Sequence, residues 1–221
     1  MGRLRALIFD MDGVLIHSRA LHVKAWDLFF RRHGVDFDSE LLMKKYFGRS
    51  NGEILKATLP PALGDRDPVK LSQEKESLFR EIANRELRPV AGLMEFLEHG
   101  RRVGLQMCVA SSAPKENVEF VARRLKIGDY FEALIDDSCA PRAKPAPDLF
   151  LLAARRLNAP PDQCMVFEDS HHGVAAAKAA GMECVGFLTQ HGAGELKPVI
   201  LEVQDFSDPR LRAIVEERMR G

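Results

Sequence analysis

Apolar residues along the chain fall into two kinds of run. Four are short and nearly unbroken: LRALIFD (4–10), GLQMCVASS (104–112), QCMVFEDS (163–170) and MECVGFL (182–188). A weaker fifth is FEALIDD (131–137), and Gly, Asp, Ser or Pro bounds each of them. Runs of this kind, without clean alternation, suit strands covered on both faces, as in a parallel sheet. Between them the spacing turns helical, over roughly 91–100, 115–126, 147–157 and 173–180. KENVEFVARRLKI, for instance, sets Val118, Val121, Ala122 and Leu125 at helical spacing. Strand and helix in alternation predict an α/β fold, a Rossmann-like doubly wound parallel sheet.

Residues 17–86 break that rhythm. ALHVKAWDLFFRRHG, SELLMKKYFG and VKLSQEKESLFREIANREL read as amphipathic helices with no strand between them, and LPPALGDRDP (59–68) as a loop. The regular pattern returns at RPVAGLMEFLEHG. The expected organisation is a core of residues 1–15 and 87–221 with an inserted α-helical cap, 16–86. An insert after the first strand sits over the carboxyl ends of the strands, where open α/β sheets bind ligands. DPRLRAIVEERMRG closes the chain as one more amphipathic helix.

Composition narrows the partners. The 221 residues are 46% hydrophobic, enough for a sizeable core, and 32 Lys and Arg balance 32 Asp and Glu. A net charge of zero gives no global field for nucleic acid and no acidic tail for a basic partner. Cys108, Cys139, Cys164 and Cys184 form neither a CxxC nor a zinc spacing, which fits free thiols in a reducing compartment. No leader-like apolar segment and no run of membrane-span length is present. The expectation is a cytoplasmic monomer that binds neither nucleic acid nor membrane.

Candidate chemistry gathers at the strand ends. The first strand ends in Asp10 and Asp12, the second in Ser111 and Ser112, and the 163–170 strand in Glu168 and Asp169. Lys144 comes after the 131–137 run. In a parallel sheet these ends share one edge. Asp10, Glu168 and Asp169 are hard oxygen ligands suited to Mg²⁺, which would offset their mutual repulsion. Metal, lysine and serine together can hold a phosphoryl group, one carboxylate can attack phosphorus, and a second can shuttle a proton. In an extended strand Asp10 and Asp12 would project to the same side, and Gly13 would allow a sharp turn. A calcium loop starting at DMDG fails at Val14, Leu15 and Leu21. Singly, DG, KP and EDS are ordinary turn or helix-start sequences; together, in order at four strand ends, they point to a site.

These segments resemble the motifs of the haloacid dehalogenase superfamily of phosphotransferases. DMDGVL is similar to its first motif, VASS to the second, KPAPDLF to the third and VFEDSHHGVAAAKAAGM to the fourth. The insert resembles the helical cap of the subgroup that contains β-phosphoglucomutase and many small phosphatases. The resemblance implies Asp10 as nucleophile and Asp12 as acid/base. It implies Ser111 as a phosphoryl ligand, with Ser112 on the substrate side, and Lys144 as the neutralising cation. It further implies Mg²⁺ on Asp10, Asp169, Glu168 and the backbone carbonyl of Asp12. The second acid speaks against a dehalogenase or a phosphonate-cleaving enzyme. By the same resemblance His22 bonds the acid/base and helps gate it. Arg49, near the substrate-reading loop of relatives, reads equally as a contact for a second phosphate or sugar hydroxyls or as a surface arginine, and Lys75 corresponds to a cap lysine of the subgroup, although such charged runs more often form a solvated helix face. His17 stands where relatives carry Asp or Thr, and is expected to face solvent.

SSAPKENVEF lacks the Ser-Lys-Asn set with which the mutase grips a distal phosphate. The implied activity is therefore a Mg²⁺-dependent phosphatase acting on a small phosphorylated metabolite, a sugar phosphate, through an aspartyl-phosphate. A sugar phosphate mutase is the second reading. A non-catalytic metabolite sensor is the third, and the intact set of Asp10, Asp12, Ser111, Lys144 and Asp169 argues against it.

Overall fold

The computed structural model describes residues 2–46, 51–58, 64 and 66–221. The chain divides into two compact units, Met1–Ile16 with Pro89–Gly221, and His17–Arg88. Among the described residues no helix is long and apolar enough to cross a membrane.

The first unit is built on six parallel strands: β1 (Ala6–Phe9), β2 (Gln106–Ala110), β3 (Ala133–Ile135), β4 (Cys164–Glu168), β5 (Glu183–Phe187) and β6 (Leu201–Val203). Their order in the sheet is β3-β2-β1-β4-β5-β6. Helices α1 (Arg19–Arg32), α2 (Ser39–Tyr46), α3 (Asn51–Thr58) and α4 (Pro68–Glu86) belong to the second unit. Helices α5 (Leu93–Arg102), α6 (Lys115–Leu125), α7 (Asp148–Arg156), α8 (His171–Ala179) and α9 (Pro209–Arg220) belong to the first. The predicted α/β architecture is thus the observed one. β6 is the strand that the pattern did not reveal. It has three residues, only Val203 of them buried, and pairs with β5 alone, so it never needed a continuous apolar run.

Ile8 pairs with Cys108 on one side and Val166 on the other, which puts β1 at the centre. Both faces of β1 are covered. Ala6 and Ile8 pack with Phe150, Ala153 and Ala154 of α7 and Val174 and Ala177 of α8. Phe9 points the other way, stacks on Phe167 at 4.7 Å and meets Phe96 of α5 and Phe206. Complete burial of each such side chain contributes about 1.5–3 kcal/mol. Strand order reverses between β1 and β4, so the crevice between their carboxyl ends is the switch point where sheets of this type bind ligands.

β1 stops one residue earlier than its apolar run. The Asp10 amide still donates to the Phe167 carbonyl at 3.0 Å, and then the chain turns: Leu15 N–H reaches Met11 O at 2.9 Å and Gly13 N–H reaches Ile16 O at 2.9 Å. Asp12 lies past the end of β1, in an isolated bridge with Ile16, and its charge acts on both Asp10 and Asp169.

In the helical unit, α1 and α4 form the main pair. Trp26, Phe29 and Phe30 of α1 are buried, as is Phe79 of α4, and the Trp26 and Phe30 rings stack at 5.5 Å. The start of α4 is written in its sequence: Pro68 opens the helix and the Asp67 carboxylate accepts the Val69 amide at 2.9 Å.

Candidate active site

Lys144 is the centre of the charge cluster. Its ammonium donates to Asp10 Oδ1 at 2.6 Å, Glu168 Oε1 at 2.7 Å and the Ala110 carbonyl at 3.1 Å. It also lies 4.6 Å from the centroid of the Phe150 ring. The ends of β1, β2 and β4 are thereby tied together by one side chain from the loop before α7. Asp10, Glu168 and Asp169 are 7%, 1% and 3% exposed, so their charges meet little water.

Glu168 is held from both sides. Its Oε2 accepts the amides of Asp169 and Ser170 and the Ser170 hydroxyl, each at 2.9 Å. The same Ser170 oxygen caps α8 by accepting the Gly173 amide at 3.0 Å. Gly173 is required there, because a Cβ on it would fall 1.7 Å from Glu168 Oε1. Both Glu168 oxygens thus have partners, and the side chain anchors Lys144 and the start of α8.

The remaining acids are held against their own preference. Burial pushes the Asp10 carboxyl up to about 7; Lys144 pulls it down, while Glu168 and Asp12 add to the rise. Asp169 is also raised, first by burial and then by Glu168, Asp10 and Asp12. The Lys144 ammonium is stabilised despite its burial, because Asp10 and Glu168 both face it. One lysine thus serves several carboxylates, and the cluster has anionic capacity that it does not neutralise.

Among the described residues no group of three or more His, Cys, Asp or Glu side chains is arranged as a metal cluster. The donor set nevertheless fits Mg²⁺. That ion characteristically uses one or two carboxylates, keeps several waters and takes up substrate phosphate oxygens. Asp10, Asp169, Glu168 and the Asp12 carbonyl are oxygen donors of the kind that demand calls for.

Ser111 is buried just beyond β2; its amide donates to Ile135 O at 3.0 Å and its hydroxyl oxygen accepts the Ala113 amide at 3.1 Å. Ser112 beside it is half-buried. Thr189, two residues past β5, was not singled out in the sequence. Its hydroxyl lies 2.8 Å from Gly13 O and 3.3 Å from Asp169 Oδ2. Its signal is one of position: it stands just past the MECVGFL run, at a strand end like the other site residues.

The helical unit holds the other candidates. Lys75 is 1% exposed, which overturns the solvated-face reading. Its ammonium lies 2.7 Å from His22 Nδ1 and donates to Glu76 Oε1 at 2.9 Å. An ammonium can only donate, so this contact is a hydrogen bond when His22 Nδ1 carries no proton. The His22 ring stacks on Phe79 at 4.2 Å. His17 is exposed, as expected. Arg49 lies outside the described residues.

A parallel sheet carrying buried carboxylates and a lysine at its switch point, with a helical unit inserted after β1, has the architecture of a haloacid dehalogenase-like hydrolase. Residues 4–181 match the model of that family, and the chain belongs to it as an enzyme of the hydrolase class. The chain is 34% identical over 185 residues to fructose-1-phosphate phosphatase YqaB of Escherichia coli strain K12, covering 83% of this chain and 96% of that protein. It is 31% identical over 213 residues to validoxylamine A 7'-phosphate phosphatase of Streptomyces hygroscopicus subsp. limoneus, covering 93% and 96%. Among solved structures it is similar to a HAD hydrolase, family IA, variant 3, from Entamoeba histolytica HM-1:IMSS. The TM-score is 0.87 at 25% identity, over 99% of this chain and all of that one.

Proposed function

We propose that the protein is a Mg²⁺-dependent phosphatase that hydrolyses a small phosphorylated metabolite, a sugar phosphate, through an aspartyl-phosphate. The observation that carries this reading is the Lys144 bridge between Asp10 and Glu168, which sets a buried, oriented carboxylate at the switch point. Two relatives whose names describe phosphatases of phosphorylated small molecules, one a sugar phosphate, support the substrate class.

An Asp10 carboxylate oxygen attacks phosphorus. The ester P–O bond breaks, and the Asp12 carboxylic acid gives its proton to the leaving oxygen. Asp12, now a carboxylate, takes a proton from water as that water attacks phosphorus. The P–O bond to Asp10 breaks and inorganic phosphate leaves. Ser111 and Ser112 hold phosphoryl oxygens, and Lys144 neutralises charge while fixing the Asp10 rotamer. Asp10, Asp169 and the Asp12 carbonyl would hold Mg²⁺, which supplies charge stabilisation of the phosphoryl oxygens. Substrate choice is assigned to the helical unit, with His22 and Lys75 as its polar pair and Arg49 as a further contact. Four free thiols support a reducing, cytoplasmic setting.

Hydrolysis is preferred over mutase chemistry because Ala113 and Pro114 come directly after Ser112 and offer no polar side chain for a second phosphate. A panel of sugar phosphates, assayed for phosphate release with Mg²⁺ and with EDTA, tests the proposal. Release that survives EDTA would sink the metal-assisted mechanism, and a silent panel would favour the sensor. β-Glucose 1-phosphate with a trace of glucose 1,6-bisphosphate should yield free phosphate. Accumulation of glucose 6-phosphate instead would make the protein a mutase.

A further inference from the structure

Thr189 joins two parts of the site that the chain itself leaves separate. Its hydroxyl bridges the Gly13 carbonyl, one residue past Asp12, and the Asp169 carboxylate at the end of β4. The bridge is firmly seated. The Leu188 amide donates to Val203 O at 2.8 Å, which fixes the backbone next to Thr189 on the β5–β6 ladder. The three groups are in close contact: a Cβ on Gly13 would fall 1.7 Å from Asp169 Oδ2 and 2.9 Å from Thr189 Oγ1. Gly13 also has a φ of +75°, a conformation side chains seldom accept. Asp169 Oδ2 is therefore confined between the Gly13 turn and the threonine.

A hydroxyl carries one proton and can give it to one acceptor at a time. The 2.8 Å contact with Gly13 O is the better bond, and the 3.3 Å contact leaves Asp169 Oδ2 a partial one. The threonine thus pins the turn that carries the Asp12 carbonyl and limits how far the Asp169 carboxylate can swing. Both are groups that the proposed metal site needs in register.

We infer that Thr189 is a positioning residue for Mg²⁺, acting through its hydroxyl on Asp169 and on the Gly13 turn. This rests on the metal-assisted reading above. Loss of an outer partner of this kind costs about 10–100-fold in metal affinity. It should leave the chemical step itself nearly intact, because the Thr189 hydroxyl bonds Gly13 O and Asp169 Oδ2.

The test compares Thr189→Val and Thr189→Ala, which delete the hydroxyl, with Thr189→Ser, which keeps it and deletes the methyl. Mg²⁺ binding is read by isothermal titration calorimetry on the full chain. The Mg²⁺ concentration for half-maximal phosphate release is read alongside it. Expected are dissociation constants about 10–100-fold higher in the Val and Ala variants, with Ser restoring affinity to within a few-fold. The half-activation concentration should move in parallel, while kcat at saturating Mg²⁺ stays close to wild type. Wild-type affinity in Val and Ala, or a Ser variant as weak as they are, would overturn the inference. A wild-type chain that takes up no Mg²⁺ would overturn the metal-assisted reading itself, and that is seen before any variant is compared.

Discussion

Glu76→Gln probes the buried charge pair of the helical unit and makes its energetics measurable. Burial works against the Glu76 anion. Electrostatic attraction from Lys75 and then His22, with hydrogen bonds from Lys75 and Asn51, outweighs it and carries the carboxyl from 4.5 down to about 2. At about 1.4 kcal/mol per pH unit, that preference is worth about 3 kcal/mol to the folded state. Removing one partner of a buried ion pair costs about 3–5 kcal/mol by independent reasoning, since it strands the other charge. The two routes agree in order of magnitude. The sign is set by the direction: a depressed folded pKa gives stability that is complete above 4.5 and drains away as pH falls toward about 2. Trp26 is the one tryptophan of the chain, and Lys75 Nζ lies 5.2 Å from its ring, so its fluorescence reports on this unit. Urea unfolding monitored at Trp26 should put Glu76→Gln below wild type by about 3 kcal/mol at pH 7. The gap should close between pH 4.5 and pH 2. The variant serves as reference for every other carboxyl that titrates. A gap that is absent at pH 7, or that stays constant down to pH 2, would refute the pairing.

Two further substitutions address the core unit. Asp12→Asn removes the proposed proton transfer and should lower turnover about 10²–10⁴-fold while inorganic phosphate, titrated calorimetrically, still binds; unchanged turnover would remove Asp12 from the chemistry. Gly173→Ala forces a methyl into the Glu168 carboxylate, 1.7–2.3 Å from its atoms, and should cost about 1–3 kcal/mol or more as Glu168 leaves Lys144 and the α8 cap; a thermal unfolding curve like that of wild type would disprove the anchoring role.

The sheet was legible in the sequence because strands buried on both faces need continuous apolar runs, and ALIF, MCVA and CMVF supply them. β6 was not, because an edge strand of three residues carries almost no such demand. Site residues came with the strands: once the ends of β1, β2 and β4 were located, Asp10, Ser111, Glu168 and Asp169 lay on one edge. What periodicity could not convey was the allocation of partners. EDS reads equally as a ligand pair or as a helix cap, and only the structure shows Ser170 and two amides converging on Glu168 Oε2. Lys75 was obscured for a similar reason. SQEKESLF looks like a solvated face until Trp26, Phe79 and His22 are known to surround the ammonium.

Asp10 and Glu76 show how far local pairing alone falls short of fixing the state of a carboxylate. Each is buried, and each receives a hydrogen bond from a buried lysine, at 2.6 Å and 2.9 Å. Burial raises both. Yet Asp10 ends near 7 and Glu76 near 2. The difference lies in the company each keeps. Lys144 is divided between Asp10 and Glu168, and Asp12 adds a further negative charge to the Asp10 environment. Glu76 faces Lys75 with Asn51 as an added donor and no second carboxylate among the causes of its shift. The Lys75–Glu76 pair is self-sufficient and ties α4 to α1 through the Lys75 contact with His22 and to α3 through the Asn51 bond to Glu76. The Asp10 cluster is short of positive charge by construction. In the proposed function, that deficit is what a divalent cation held by Asp10 and Asp169 would relieve. A site that completed its own neutralisation would hold Asp10 as firmly but would leave no electrostatic demand for a metal ion.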